Sequence, residues 1–135
     1  MREKAPLLFD SHALLKLFQK ETGHEKVARM LVQAKRLGTP KYISVINLGE
    51  IIYATKRAFG DQKKIEVLAH VERLGIRILP VPNDLVFRAA EYKASFSMSF
   101  AGCFALASAV EHRAVLVTGD PEFRAAEHLV TIAWV

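Results

Sequence analysis

Cysteine is nearly missing from this sequence. Cys103 stands alone among 135 residues, so no disulfide can close within the chain, and a reducing compartment fits. No apolar run comes near the roughly 18 residues that a membrane span requires. Residues 1–6 carry Arg2, Glu3 and Lys4 and lead straight into an apolar stretch, so no signal peptide is expected and the chain reads as cytoplasmic and complete. Gly-rich phosphate loops of the GxGxxG or P-loop type are lacking, and so is a Gly-x-Ser-x-Gly nucleophile elbow. These absences argue against nucleotide-driven motors, common dehydrogenases and the commonest serine hydrolases. His12, His24, His70, His112 and His128 show no metal-ligand spacing with one another or with Cys103 and read as surface or boundary residues. Cys103 itself reads as a small core residue. Nothing repeats and no linker divides the chain, which gives a single domain over residues 1–135.

What the sequence does have is apolar content, at 51%, with 24% charged residues, enough for a sizeable core. A formal charge of +5 points to an anionic partner, nucleic acid first, although a modest basic excess also serves plain solubility. No dense basic block decides between the two.

The apolar pattern alternates between short runs and helical periodicity. Leu7, Leu8 and Phe9 form a strand that ends in Asp10, with Asp10 or Ser11 as helix cap; Leu14, Leu15 and Phe18 then recur at helical spacing. Val27, Met30, Leu31 and Ala34 mark a second helix that stops at Gly38. A strand over 42–45 and a helix over about 46–58 follow. Asp61 is placed to cap a fourth helix turning Ile65, Leu68 and Val71 inward. After a strand over 76–81, Asn83 or Asp84 caps a fifth helix, and Ser99 caps a sixth that runs to Glu111. Strands over 114–118 and 129–134 close the chain. Strands separated by helices imply an α/β fold, a parallel sheet covered on both faces. In such sheets the chemistry gathers beyond the carboxyl ends of the strands, which singles out Asp10 and Asp120.

Each of these acids also has an ordinary structural reading. Asp10 is placed to cap a helix, and Asp120 before Pro121 is a common helix start. Glu50 sits mid-helix among Ile46, Asn47, Tyr53 and Ala54, a mostly inward face where a carboxylate needs a cation, either a metal or a partner such as Arg57. Thr118, two residues before Asp120, either orients that acid or a water, or is an ordinary β-branched strand residue. Converging carboxylates would suit Mg2+, which keeps several waters and can activate one against a phosphodiester.

In their order, three segments resemble the PIN domain, and the resemblance spans the whole chain. They are Leu8-Phe9-Asp10-Ser11-His12-Ala13-Leu14-Leu15, Ile46-Asn47-Leu48-Gly49-Glu50-Ile51 and Val117-Thr118-Gly119-Asp120-Pro121-Glu122-Phe123. The resemblance, to the VapC-like toxins in particular, implies a three-layer α/β/α sandwich and an endoribonuclease dependent on Mg2+ or Mn2+. Asp10, Glu50 and Asp120 would be its catalytic and metal-holding residues. It further implies an RNA substrate, a cognate antitoxin and a homodimer, with Arg57 or Arg88 as candidate phosphate contacts. One departure stands out. Where the family carries a further Asp near the start of the sixth helix, this chain reads Ser99-Phe100-Ala101-Gly102-Cys103-Phe104-Ala105-Leu106-Ala107. Glycine within a helix costs about 1 kcal/mol relative to alanine, so Gly102 does not serve the helix. The expectation is a natural loss or a deliberate replacement of the acid, with metal affinity and turnover weakened or abolished and Ser97 and Ser99 offering only uncharged oxygens. The alternatives are a PIN-fold module that binds RNA or antitoxin without chemistry, and a phosphotransfer domain with Asp10 as nucleophile. The second lacks the Asp-x-Asp spacing, because position 12 is His12.

Overall fold

Five short strands, β1 (Leu7–Phe9), β2 (Lys41–Ser44), β3 (Arg77–Leu79), β4 (Val115–Thr118) and β5 (Ile132–Trp134), form one parallel sheet in a computed structural model that describes residues 4–135. The reading of the amino terminus as lacking a signal peptide falls partly on residues 1–3, outside the described residues. The spatial order is β3-β2-β1-β4-β5. From β1 the chain builds to one side through β2 and β3, then crosses over and builds to the other through β4 and β5. The order therefore reverses between β1 and β4, and the crevice at that reversal is where open α/β sheets bind ligands.

Period-two alternation explains why both faces are covered. Leu8 and Leu116 enter one core with Leu79, Leu85, Ala89, Phe104, Leu106 and Phe123. Their neighbours Phe9 and Val117 turn the other way, against Leu14, Val27, Leu31, Ile43, Ile51 and Val71. The second core is closed by helices α1 (Ser11–Gln19), α2 (His24–Leu37), α3 (Val45–Phe59) and α4 (Asp61–Arg73). The first is closed by α5 (Asn83–Ser95), α6 (Phe100–His112) and a 3-10 turn over Pro121–Ala126. The result is the expected α/β/α sandwich. Among the described residues no helix is long and apolar enough to cross a membrane.

Several local expectations hold. Ser99 caps α6 by accepting from the Gly102 amide at 3.0 Å, and Gly38 ends α2 in the left-handed conformation at φ 70°. Others are corrected. Asp61 is the first residue of α4 and its cap is Gly60; α5 is preceded by Pro82 with no side-chain cap bond. Ile65 is 55% exposed, because Lys64, Val67, Leu68 and Val71 make the inward stripe and Ile65 falls one residue off it. On α2 and α3, Val27, Leu31, Ala34 and Ile51 are all buried in the core.

Burial sets the cost of truncation. Leu116→Ala, on a central strand and 0% exposed, is expected to lose about 2–5 kcal/mol. Ile65→Ala should stay within about 0.5 kcal/mol of the parent. Urea denaturation midpoints at constant m-value check both.

Candidate active site

At the end of β1 the chain must turn into α1, and Asp10 makes that turn. Its Oδ1 accepts from the Ala13 amide at 2.8 Å, capping the helix, while its own amide donates to the Val117 carbonyl on β4. The other oxygen, Oδ2, takes a hydrogen bond from Thr118 Oγ1 at 2.5 Å. Thr118, fully buried, then accepts from the Asp120 amide at 3.0 Å. Thr118, a paired residue of β4, thus links the Asp10 carboxylate to the Asp120 backbone. Asp120 in turn accepts from the Glu122 amide at 3.0 Å and starts the 3-10 turn, with Pro121 at the first position.

These residues open onto a cleft of about 220 Å³ lined by Asp10, Ser11, His12, Asn47, Glu50 and Asp120 together with Ser99, Gly102 and Glu122. All three acids selected from sequence therefore face one space at the strand reversal. They are not closed onto a single point: among the described residues no three His, Cys, Asp or Glu side chains form a group that could hold a metal ion as they stand. Ser11 Oγ donates to Glu50 Oε1 and Ser99 Oγ to Glu122 Oε1.

Burial and mutual repulsion leave a clear electrostatic mark. Asp10 is 4% exposed, and desolvation pushes its carboxyl up to about 7. The bonds from Thr118 and Ala13 oppose this, and the charges of Asp120 and Glu50 add to it. Glu122 is raised too, first by desolvation and then by its neighbour Asp120. Nothing cationic among the cleft-lining residues offsets the four carboxylates. Arg57 lies over the Tyr53 ring at 5.2 Å and Arg88 pairs with Glu111 at 3.0 Å, so neither expected phosphate contact lines the cleft, nor does Arg57 pair with Glu50. Ser97 is absent from the lining as well, whereas Ser99 belongs to it.

The residues fit a hard divalent cation. The donors are carboxylate oxygens, which such ions favour. Asn47 is 1% exposed, donates to the Ala101 carbonyl at 3.2 Å, and keeps a buried Oδ1 without a partner where it lines the cleft. An unsatisfied buried acceptor of this kind wants a cation or a water. Three cleft residues escaped the sequence reading. His12 is half-buried, as a boundary residue should be, but it also lines the cleft and keeps a buried Nδ1 without a partner. Asn47 and Glu122 were passed over, although Glu122 carried a signal: an acid two residues after Asp120, immediately before the buried Phe123.

Comparison with known proteins follows this geometry. The PIN domain model matches residues 7–129. The fold is similar to that of Mycobacterium tuberculosis VapC20, a toxin that cleaves the sarcin-ricin loop, with a TM-score of 0.72 at 20% identity over 89% of this chain and 94% of that one. It is similar to Rickettsia felis VapBC2, solved bound to a DNA fragment from its promoter, with a TM-score of 0.76 at 14% identity over 94% and 96%. A toxin–antitoxin complex from Klebsiella pneumoniae gives 0.66 at 24% identity over 93% and 96%. No curated protein matches the sequence.

Thr118→Val keeps shape but removes a hydroxyl that serves two buried partners. The variant is expected to lose about 1–3 kcal/mol, read from urea denaturation in the presence of a chelator. A loss no larger than that of an exposed Thr→Val control would contradict the bridging role.

Proposed function

The chain belongs to the PIN-domain family, and from that premise we propose that it is a metal-dependent endoribonuclease of the VapC-like toxin class, hydrolysing RNA phosphodiesters in the cleft at the β1–β4 reversal. The single observation that supports this best is the placement of Asp10, Glu50 and Asp120, from three distant segments, around one cleft. They are the residues proposed to hold Mg2+ or Mn2+. A divalent cation bound there supplies activation of water and neutralisation of charge on the phosphodiester.

The chain's own residues do the rest by positioning. Thr118 and the Ala13 amide fix both oxygens of Asp10, so that carboxylate cannot rotate away from the cleft. Ser11 holds Glu50 beside it, and Asn47 ties α3 to the first turn of α6. The overall charge of +5 favours approach of RNA to a cleft that is itself acidic. Gly102 leaves α6 without the acid of the family pattern, and activity is proposed to be weakened accordingly. A cognate antitoxin that blocks the cleft, a homodimer and a cytoplasmic location complete the proposal; the Klebsiella pneumoniae relative is itself a toxin–antitoxin complex.

A second reading is favoured by Gly102 and by the lack of a closed ligand group among the described residues: a PIN-fold module that binds RNA or antitoxin and does no chemistry.

Total cellular RNA incubated with Mg2+ or Mn2+ separates the two. The chain is expected to cut slowly, Gly102→Asp faster, and Asp10→Asn in either background not at all. If none of the forms cuts while all retain their circular dichroism spectra, the binding module is the better account.

A further inference from the structure

We propose that Glu122 supplies, from the turn after β4, the carboxylate that α6 lacks at Gly102, so that the pair Gly102–Glu122 replaces the family's aspartate as a unit. This rests on the nuclease reading above and concerns the same cleft.

Gly102 is buried in the first turn of α6 and lines the cleft. A Cβ built on it would collide with Glu122 Oε1 and would lie 3.2 Å from Glu122 Cδ and 3.0 Å from Ser99 Oγ. The carboxylate of Glu122 therefore occupies the volume into which any side chain at 102 would have to grow. Its position is specified from both ends. At the backbone, Pro121 fixes the start of the 3-10 turn and the Glu122 amide is bonded to Asp120 Oδ1 at 3.0 Å. At the tip, Oε1 accepts from the Ser99 amide at 2.9 Å and from Ser99 Oγ at 3.0 Å. Ser99 caps α6, so the carboxylate also lies at the positive end of that helix, where an aspartate on the helix itself would be favoured.

Glycine at 102 thus has a positive use. It costs the helix stability and makes room for an acid delivered by another segment. Asn47 gives an independent sign that this corner serves a ligand. It lines the cleft, donates to the Ala101 carbonyl one residue before Gly102, and keeps a buried Oδ1 without a partner. Glu122 faces the same cleft as Asp10, Glu50 and Asp120, which makes four carboxylates in all.

The test is Mn2+ binding by electron paramagnetic resonance and titration calorimetry, which needs no RNA. Four chains are compared: the parent, Glu122→Gln, Gly102→Asp and the double variant, with Asp10→Asn as reference. Glutamine keeps the oxygen that Ser99 bonds, and thermal unfolding of each chain confirms that it is folded. Glu122→Gln is expected to weaken Mn2+ binding about tenfold or more in the parent, on the scale of losing a group that supports a metal site. In the Gly102→Asp background the same change should have little effect, because the introduced aspartate displaces Glu122 and takes over. An unchanged affinity in Glu122→Gln, with Asp10→Asn still weakening it, would overturn the inference and leave the nuclease reading standing. An equal loss in both backgrounds would also overturn it, since Glu122 would then act independently of position 102. If Asp10→Asn has no effect either, the metal-site reading fails along with the inference.

Discussion

Asp10 is held almost out of water at the end of β1, and much of the molecule is arranged around that one carboxyl group. One oxygen is used to start α1 and the other receives the hydroxyl of Thr118 from the neighbouring strand. Its amide is bonded to β4, so the same residue closes the sheet register and opens the cleft. A buried carboxylate is expensive unless something compensates its charge. Here two hydrogen bonds fall short, and the group rises to about 7 under desolvation and the nearby charges of Asp120 and Glu50. A cation bound beside such a buried acid would offset its charge, which is the role the proposed function gives this cleft.

The part of the cleft formed by α6 obeys the same logic by another route. Helix α6 begins at the cleft with a serine cap, two further residues and a glycine, and the acid that belongs with that part arrives from the turn after β4. Ser99 joins the two segments, since it caps the helix and holds Glu122 at once. On the proposed pairing, Gly102 and Glu122 act together as a weaker substitute for an acid carried by α6 itself.

Much of the architecture was legible in the sequence because a sheet covered on both faces writes itself as short apolar runs, as in Leu7-Leu8-Phe9 and Val115-Leu116-Val117. Asp10 and Asp120 were legible for a related reason, since they follow such runs directly. Glu50 needed the resemblance to bring it to the same place, because its distance from Asp10 depends on how α3 leaves β2. The misreadings share a cause. Ile65 was placed on the inward stripe with Leu68 and Val71 although it lies 55% exposed, and Arg57 was offered to Glu50 although Ser11, far away in sequence, is its partner. His12 and Asn47 have no local pattern that marks them, and Glu122 has only its place two residues after Asp120. Their importance comes from crossovers that bring the starts of α1, α3 and α6 and the turn after β4 to one spot, and no periodicity encodes that meeting.

The central claim is that this cleft is a divalent cation site built on Asp10. Anomalous diffraction from crystals of the full chain soaked in Mn2+ tests it most directly. The account predicts a manganese peak in the cleft in contact with the Asp10 carboxylate. Saturating Mn2+ that gives peaks elsewhere, or none, with the cleft open to solvent in the lattice, would contradict it.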